Sequence, residues 1–150
     1  MKKITLAENA GFCFGVQRAV EEAIKIQKQY SKKIYTLGPL IHNNDVVKFF
    51  QENNIYSVEF QNIDMLKEGD VIVIRSHGVG IEVIESLKAR NLIVVNATCP
   101  YVTNIQKKVN KYSSLGYKIV ILGDKKHPEV VGINGWCNND AIVTNNGEFD

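Results

Sequence analysis

Residues that can bind metals or anions recur at one position relative to the apolar runs of this chain. Cys13, His42, His77, Cys99 and His127 each follow a short apolar run and a turn, where a helix is predicted to begin. They include all 3 histidines and two of the 3 cysteines. Ligands of open α/β sheets bind beyond the carboxyl ends of the strands. This placement predicts one site at that rim, suited to a metal or an anion.

The cysteines fit thiolate chemistry at helix N termini. Pro100 suits a first helical position, which makes Cys99 the predicted N-cap. The positive end of a helix dipole favours thiolate, the form that binds iron or zinc. Gly11 and Gly15 flank Cys13 and let the backbone approach a bulky group. No close Cys or His pair forms a zinc knuckle, whereas widely spaced cysteines fit an iron–sulfur cluster.

The histidines suggest anion binding. His42 and His77 precede predicted helices, whose free N–H groups attract phosphate, although each alone is more often a polar loop residue. His127 precedes Pro128 at another predicted helix start, and Glu129 follows. Glu129 either interacts favourably with the helix dipole or transfers protons at a metal site.

Alternating apolar segments must position these residues. Strands are predicted at 4–7, 34–37, 71–74, 92–95, 118–122 and 141–144. One helix is predicted at 14–30 and a short one begins after 43–44. A third helix is predicted to end at 90–91, and a fourth runs from 102 to 115. We place Cys137, beside Trp136, in a further helix as a small buried apolar residue. The alternation predicts an α/β fold of parallel-sheet lobes.

Three segments are predicted: 1–13 with the first strand and Cys13, a first α/β lobe at 14–96, and an incomplete second lobe at 97–150. Composition is that of an ordinary globular protein, with 45% hydrophobic and 23% charged residues. The net charge of +2 and dispersed basic pairs do not favour nucleic-acid binding. No apolar stretch is long enough for a membrane span, and we expect a cytoplasmic protein with reduced thiols.

Five segments together resemble the 4-hydroxy-3-methylbut-2-enyl diphosphate reductase family, the LytB/IspH type of oxidoreductase in the non-mevalonate route of isoprenoid biosynthesis. They are AGFCFGV at 10–16, GPLIHN at 38–43, RSHGV at 75–79, NATCP at 96–100 and HPEV at 127–130. The resemblance runs in order from the N terminus to about Gly132. It implies three α/β lobes around a [4Fe-4S] cluster held by three cysteines.

The resemblance also implies residue roles. Cys13 and Cys99 would bind the cluster, and His42, His77 and His127 would bind the diphosphate. His127 and Glu129 would be catalytic, with Glu129 delivering protons. The family reaction adds two electrons, expels a hydroxyl as water and gives isopentenyl and dimethylallyl diphosphate. A ferredoxin- or flavodoxin-type protein would donate the electrons.

The resemblance covers only the N-terminal portion of the family. Its third cluster cysteine lies beyond residue 150, and Cys137 does not match it. We therefore expect these 150 residues alone to hold the cluster poorly and to be inactive. The alternative is a non-catalytic α/β anion-binding domain from a truncated gene product, with a zinc hydrolase a distant third. Iron and sulfide analysis separates the first two.

Overall fold

Helices and strands alternate from residue 14 onward. The computed structural model describes residues 3–8, 10–41 and 43–148. The helices are α1 (Phe14–Tyr30), α2 (Asn44–Glu52), α3 (Ile81–Ala89), α4 (Pro100–Ser114) and α5 (Pro128–Asn134), with a 3₁₀ helix at Phe60–Met65. The strands are β1 (Ile34–Leu37), β2 (Ile55–Val58), β3 (Val71–Ile74), β4 (Ile93–Asn96), β5 (Val120–Leu122) and β6 (Ile142–Thr144).

A four-stranded parallel sheet, in the order β2-β1-β3-β4, forms the larger layer. The crossover between β1 and β2 contains α2, and that between β3 and β4 contains α3. Because each crossover returns the chain to the same end of the sheet, the carboxyl ends of all four strands share one edge. The parallel α/β fold predicted from the sequence is confirmed.

Strand β3 is the centre of the core. Its four side chains are all 0% exposed. Val71 and Val73 pack in a cluster with α1 residues, whereas Ile72 and Ile74 pack on the opposite face with Leu87 of α3. Burial on both faces explains why this strand is a continuous β-branched run rather than an alternating one.

The N-terminal segment is not the predicted strand. Residues 3–7 form no strand, and Ile4 and Leu6 are 89% and 85% exposed. The local alternation of apolar residues favours extended chain, but a strand also requires a neighbour for its backbone hydrogen bonds. Among the described strands, none pairs with this segment.

The sequence prediction also missed β2. This strand pairs in parallel with β1 at the edge of the sheet, with Ile55 opposite Ile34 and Val58 opposite Leu37. Only Ile55 and Val58 of its residues are buried, so its apolar pattern is short. Unlike the predicted strands, β2 is followed directly by neither Cys nor His; the next residue, Glu59, is the N-cap of the 3₁₀ helix.

A second, two-stranded parallel sheet contains β5 and β6. The larger sheet ends at Asn96 and α4 begins at Pro100, close to the predicted boundary at 96/97. The division into segments 1–13, 14–96 and 97–150 stays a prediction. Within the described residues, no helix has the length and apolarity to cross a membrane.

Candidate active site

Cys13 and Cys99 lie at the N termini of two helices. Cys13 is the N-cap of α1 and its carbonyl accepts from the Gln17 N–H at 2.9 Å. Cys99 is the N-cap of α4, as Pro100 predicts, and its carbonyl accepts from the Thr103 N–H at 2.9 Å. The Cys13 thiol is exposed and the Cys99 thiol is half-buried.

The two N termini are packed against each other through Gly15. A Cβ placed on Gly15 would lie 2.8 Å from Cys99 Sγ and 3.0 Å from Cys99 Cβ, closer than real Cβ atoms approach. Cys99 therefore lies against the first turn of α1, beside Gly15, which is two residues after Cys13. Arg18 of the same helix donates to the Thr98 carbonyl, which holds the two segments together.

Local turns carry Cys99 to this position. The Asn96 side chain accepts from the Thr98 N–H at 3.0 Å, which bends the chain directly after β4. The Cys99 N–H then donates to the Ser76 carbonyl at 2.8 Å. Ser76 belongs to the β3–α3 loop (residues 75–80), so this bond joins the cysteine to the segment that carries His77.

His127 is the N-cap of α5, as predicted. Its Nδ1 accepts from the Glu129 N–H at 3.2 Å. Because Nδ1 is an acceptor, the proton of a neutral ring lies on Nε2, which can donate to an anion. Glu129 is half-buried in the first turn of α5.

The structure brings His77 and His127 together. Their ring centroids are 6.0 Å apart, and the rings meet edge to face at 76°. The two histidines lie next to different sheets: His77 follows β3 of the larger sheet, and His127 lies between β5 and β6 of the smaller one. Two neighbouring rings that can both donate hydrogen bonds are suited to bind one anionic group.

Two arginines at this edge were not identified from the sequence. The Arg75 guanidinium lies over Gly38, with Nη1 2.9 Å from the position of a Cβ there. Gly38 has φ +70°, a conformation that favours glycine. Arg75 and Arg18 place positive charge near the histidine and cysteine segments. For Arg75 the available signal was its position directly after a fully apolar strand, whereas the helix pattern around Arg18 gave no such signal.

The remaining predicted residues do not add to this arrangement. His42 lies outside the described residues. Cys137 is in a turn after α5 rather than in the predicted helix, because α5 ends at Asn134. Its thiol is 2% exposed and donates to the Asn134 carbonyl at 3.2 Å, and burial raises the pKa of this thiol. The predicted buried state is confirmed.

The donor set fits part of an iron–sulfur site. Cys13 and Cys99 provide two sulfur donors, and the missing Cβ of Gly15 leaves room beside one of them. Within the described part of the chain, no group of three His, Cys, Asp or Glu side chains is arranged to hold a metal ion. The described residues therefore offer two candidate thiol ligands, Cys13 and Cys99, and the contacting imidazoles of His77 and His127.

Comparison with known proteins supports a common origin. A family model described as LytB protein matches residues 4–150. The chain is 65% identical over 144 residues to a 4-hydroxy-3-methylbut-2-enyl diphosphate reductase of Clostridium perfringens (strain 13 / Type A), covering 96% of this chain and 51% of that protein. It is 62% identical to the protein of the same name from Clostridium acetobutylicum, covering 99% of this chain and 23% of that protein.

Solved structures show the same fold. A structure of (E)-4-hydroxy-3-methyl-but-2-enyl diphosphate reductase, described as the terminal enzyme of the non-mevalonate pathway, superposes with a TM-score of 0.81 at 43% identity, covering 93% of this chain and 50% of that one. The E-1-hydroxy-2-methyl-but-2-enyl-4-diphosphate reductase of Plasmodium falciparum gives 0.86 at 27% identity, covering 93% and 43%. The chain thus spans about half or less of the length of these relatives.

Proposed function

The chain belongs to the LytB protein family, and on that basis we propose that it forms the N-terminal part of a 4-hydroxy-3-methylbut-2-enyl diphosphate reductase. The proposed reaction is a two-electron reductive dehydroxylation. It removes the substrate hydroxyl as water and yields isopentenyl and dimethylallyl diphosphate. The main support is geometric: the β3–α3 loop carries His77, which contacts His127, and bonds to Cys99, which packs on the first turn of the helix that Cys13 caps.

Cys13 and Cys99 are the proposed cluster ligands. The close packing of Gly15 on the Cys99 sulfur supports this, since it places the Cys99 thiol beside the first turn of α1, the helix that Cys13 caps. When bound, a [4Fe-4S] cluster supplies electrons and Lewis acidity. Cys137 is not proposed as the third ligand, because its buried thiol already donates to a backbone carbonyl.

His77 and His127 are proposed to bind the diphosphate together. Their 6.0 Å separation allows both rings to donate to oxygens of one diphosphate group. The fixed charge of Arg75, two residues before His77, adds attraction for the anion. His42 joins this set from the family resemblance alone.

Glu129 is proposed to deliver a proton to the reacting allylic group, with His127 close to the substrate hydroxyl. The His127–Glu129 turn supports this, because the imidazole accepts from the Glu129 backbone and holds both side chains on the first turn of α5. A half-buried carboxylate at that turn can hold or transfer a proton.

The test uses the full-length enzyme. Glu129→Gln keeps the size and an oxygen acceptor but cannot deliver a proton, so kcat should fall about 10²–10⁴-fold with cluster content unchanged. His42→Ala removes an anion contact present in both ground and transition states, so a raised KM should dominate. If Glu129→Gln mainly raised KM while kcat held, Glu129 would be a helix-terminus residue and not the proton donor.

Iron and sulfide analysis separates the proposal from the non-catalytic alternative. A polypeptide of only these 150 residues, purified anaerobically, should hold little intact cluster because it offers two of three thiolates. The full-length protein should hold a stoichiometric cluster. Pyrophosphate binding without iron in the full-length protein would instead favour an anion-binding domain.

Other assignments rest on the family resemblance. We propose a ferredoxin- or flavodoxin-type electron donor and a cytoplasmic location. Reduction of the full-length enzyme by each class of donor protein, followed by the loss of the oxidised cluster absorbance, tests the donor. Failure with both classes would contradict this assignment without affecting the reaction itself.

A further inference from the structure

The separation of His77 and His127 depends on packing between two parts of the fold. His77 lies in the β3–α3 loop of the larger sheet, and His127 begins α5 beside the smaller sheet. Among the described strands, no pairing joins the two sheets. The ring distance of 6.0 Å therefore depends on how α5 packs on the β3–α3 loop.

Glycines bring the helix and the loop into backbone contact. A Cβ on Gly135 would lie 2.5 Å from Gly80 Cα, and a Cβ on Gly80 would lie 3.0 Å from Gly135 Cα. One turn earlier, a Cβ on Gly132 would meet the Gly78 carbonyl oxygen at 3.2 Å. Gly135 is in right-handed helical conformation, so its requirement for glycine comes from this contact and not from backbone strain.

Hydrogen bonds fix the same contact. The Trp136 indole N–H donates to the Val79 carbonyl at 2.9 Å, and the Gln106 side chain approaches that carbonyl at 3.5 Å. The Ile81 N–H donates to the Gly135 carbonyl at 3.4 Å. Glycine contacts set how closely the two segments approach, and these directional bonds set their register.

Short chain segments join this contact to both histidines. His77 directly precedes Gly78. His127 lies five residues before Gly132 on one helix, about 7.5 Å along its axis at a rise of about 1.5 Å per residue. A shift of α5 on the loop therefore moves one imidazole relative to the other.

We propose that Gly135 and Trp136 are positioning residues that hold His77 and His127 at the separation at which both bind a single diphosphate group. The inference rests on the proposed function for the role of the histidines. Neither positioning residue needs to touch the substrate, since both act through α5 and the β3–α3 loop.

The first test compares two anions and three variants of this chain. Trp136→Phe keeps an aromatic ring but removes the N–H, and Gly135→Ala disturbs the backbone contact. Val131→Ala is the control, because this residue is on the same helix and 53% exposed. Calorimetry should show inorganic pyrophosphate binding about three- to tenfold weaker in Trp136→Phe, which corresponds to one lost hydrogen bond, and unchanged in Val131→Ala.

Orthophosphate separates positioning from general destabilisation. Because one imidazole suffices for a single phosphate, its affinity should change less than that of pyrophosphate in Trp136→Phe. An equal loss for both anions, in a variant that keeps the wild-type circular dichroism, would overturn the proposal. If Gly135→Ala does not fold, Trp136→Phe carries the test alone.

A binding-independent measurement distinguishes this inference from the proposed function. Nuclear Overhauser effects between the ring protons of His77 and His127 report their proximity directly. We expect them in the wild type and in Val131→Ala, and weaker ones in Trp136→Phe. A wild type that shows them but binds no pyrophosphate would count against the proposed function only. Unchanged effects in Trp136→Phe would refute the positioning role.

Discussion

Substitution of Gly15 by alanine should reveal the packing that brings the two cysteine segments together. The new methyl group would meet Cys99 Sγ at 2.8 Å and Cys99 Cβ at 3.0 Å. Overpacking of this kind costs about 1–3 kcal/mol. Alanine in place of a helical glycine contributes about 1 kcal/mol in the opposite direction. The net expectation is a loss of about 0–2 kcal/mol in the free energy of unfolding.

A double-mutant cycle isolates the contact from the helix propensity. Cys99→Gly removes both atoms that the new methyl group would meet, and glycine is well tolerated at an N-cap. In that background Gly15→Ala should stabilise the protein by about 1 kcal/mol, because only the propensity remains. The coupling energy between the two sites should therefore be about 1–3 kcal/mol.

Urea denaturation of metal-free, reduced protein measures each corner of the cycle. With an m-value of about 2 kcal/mol/M, a change of about 1 kcal/mol moves the midpoint by about 0.5 M. If Gly15→Ala stabilised both backgrounds equally, Cys99 would not rest on the first turn of α1. The proposed shared site of Cys13 and Cys99 would then lose its geometric support.

Three further substitutions or modifications test the fold around the site. Leu87→Ala should lower the free energy of unfolding by about 2–5 kcal/mol, because this side chain is 0% exposed; a loss below about 1 kcal/mol in urea denaturation would contradict the core assignment. Burial raises the pKa of the Cys137 thiol, so it keeps its proton to higher pH than a free cysteine and holds less thiolate at pH 8. Iodoacetamide should therefore label exposed Cys13 first and Cys137 only after unfolding, as read by mass spectrometry. Gly38→Ala should lower the thermal stability more than Gly69→Ala. Both glycines have positive φ, but only a Cβ at position 38 would also lie 2.9 Å from Arg75 Nη1. Equal thermal shifts in the two variants would contradict this prediction and show that the Arg75 side chain moves aside without cost.

Local sequence determined most of the secondary structure. The apolar spacing of α1 and the β-branched run of β3 predict both elements, because a helix face and a doubly buried strand each leave a periodic pattern. Pro100 and Pro128 likewise indicate where α4 and α5 begin, since proline suits the first turn of a helix. The Cys and His residues at these helix starts also indicated metal or anion binding.

The sequence pattern misled where an element depends on a distant partner. Residues 4–7 alternate like a strand but pair with no described strand, whereas the short β2 exists through its hydrogen bonds to β1. A strand is stable only beside another, so the same local pattern can be extended coil in one place and sheet in another.

Only the tertiary structure decided how the candidate residues meet. The sequence separates Cys13 from Cys99 and His77 from His127, and no periodicity links them. Their proximity arises from the missing Cβ of Gly15 and from the packing of α5 on the β3–α3 loop. These are contacts between backbones from different parts of the chain. They depend on the three-dimensional approach of whole elements, which local propensities and spacing do not encode.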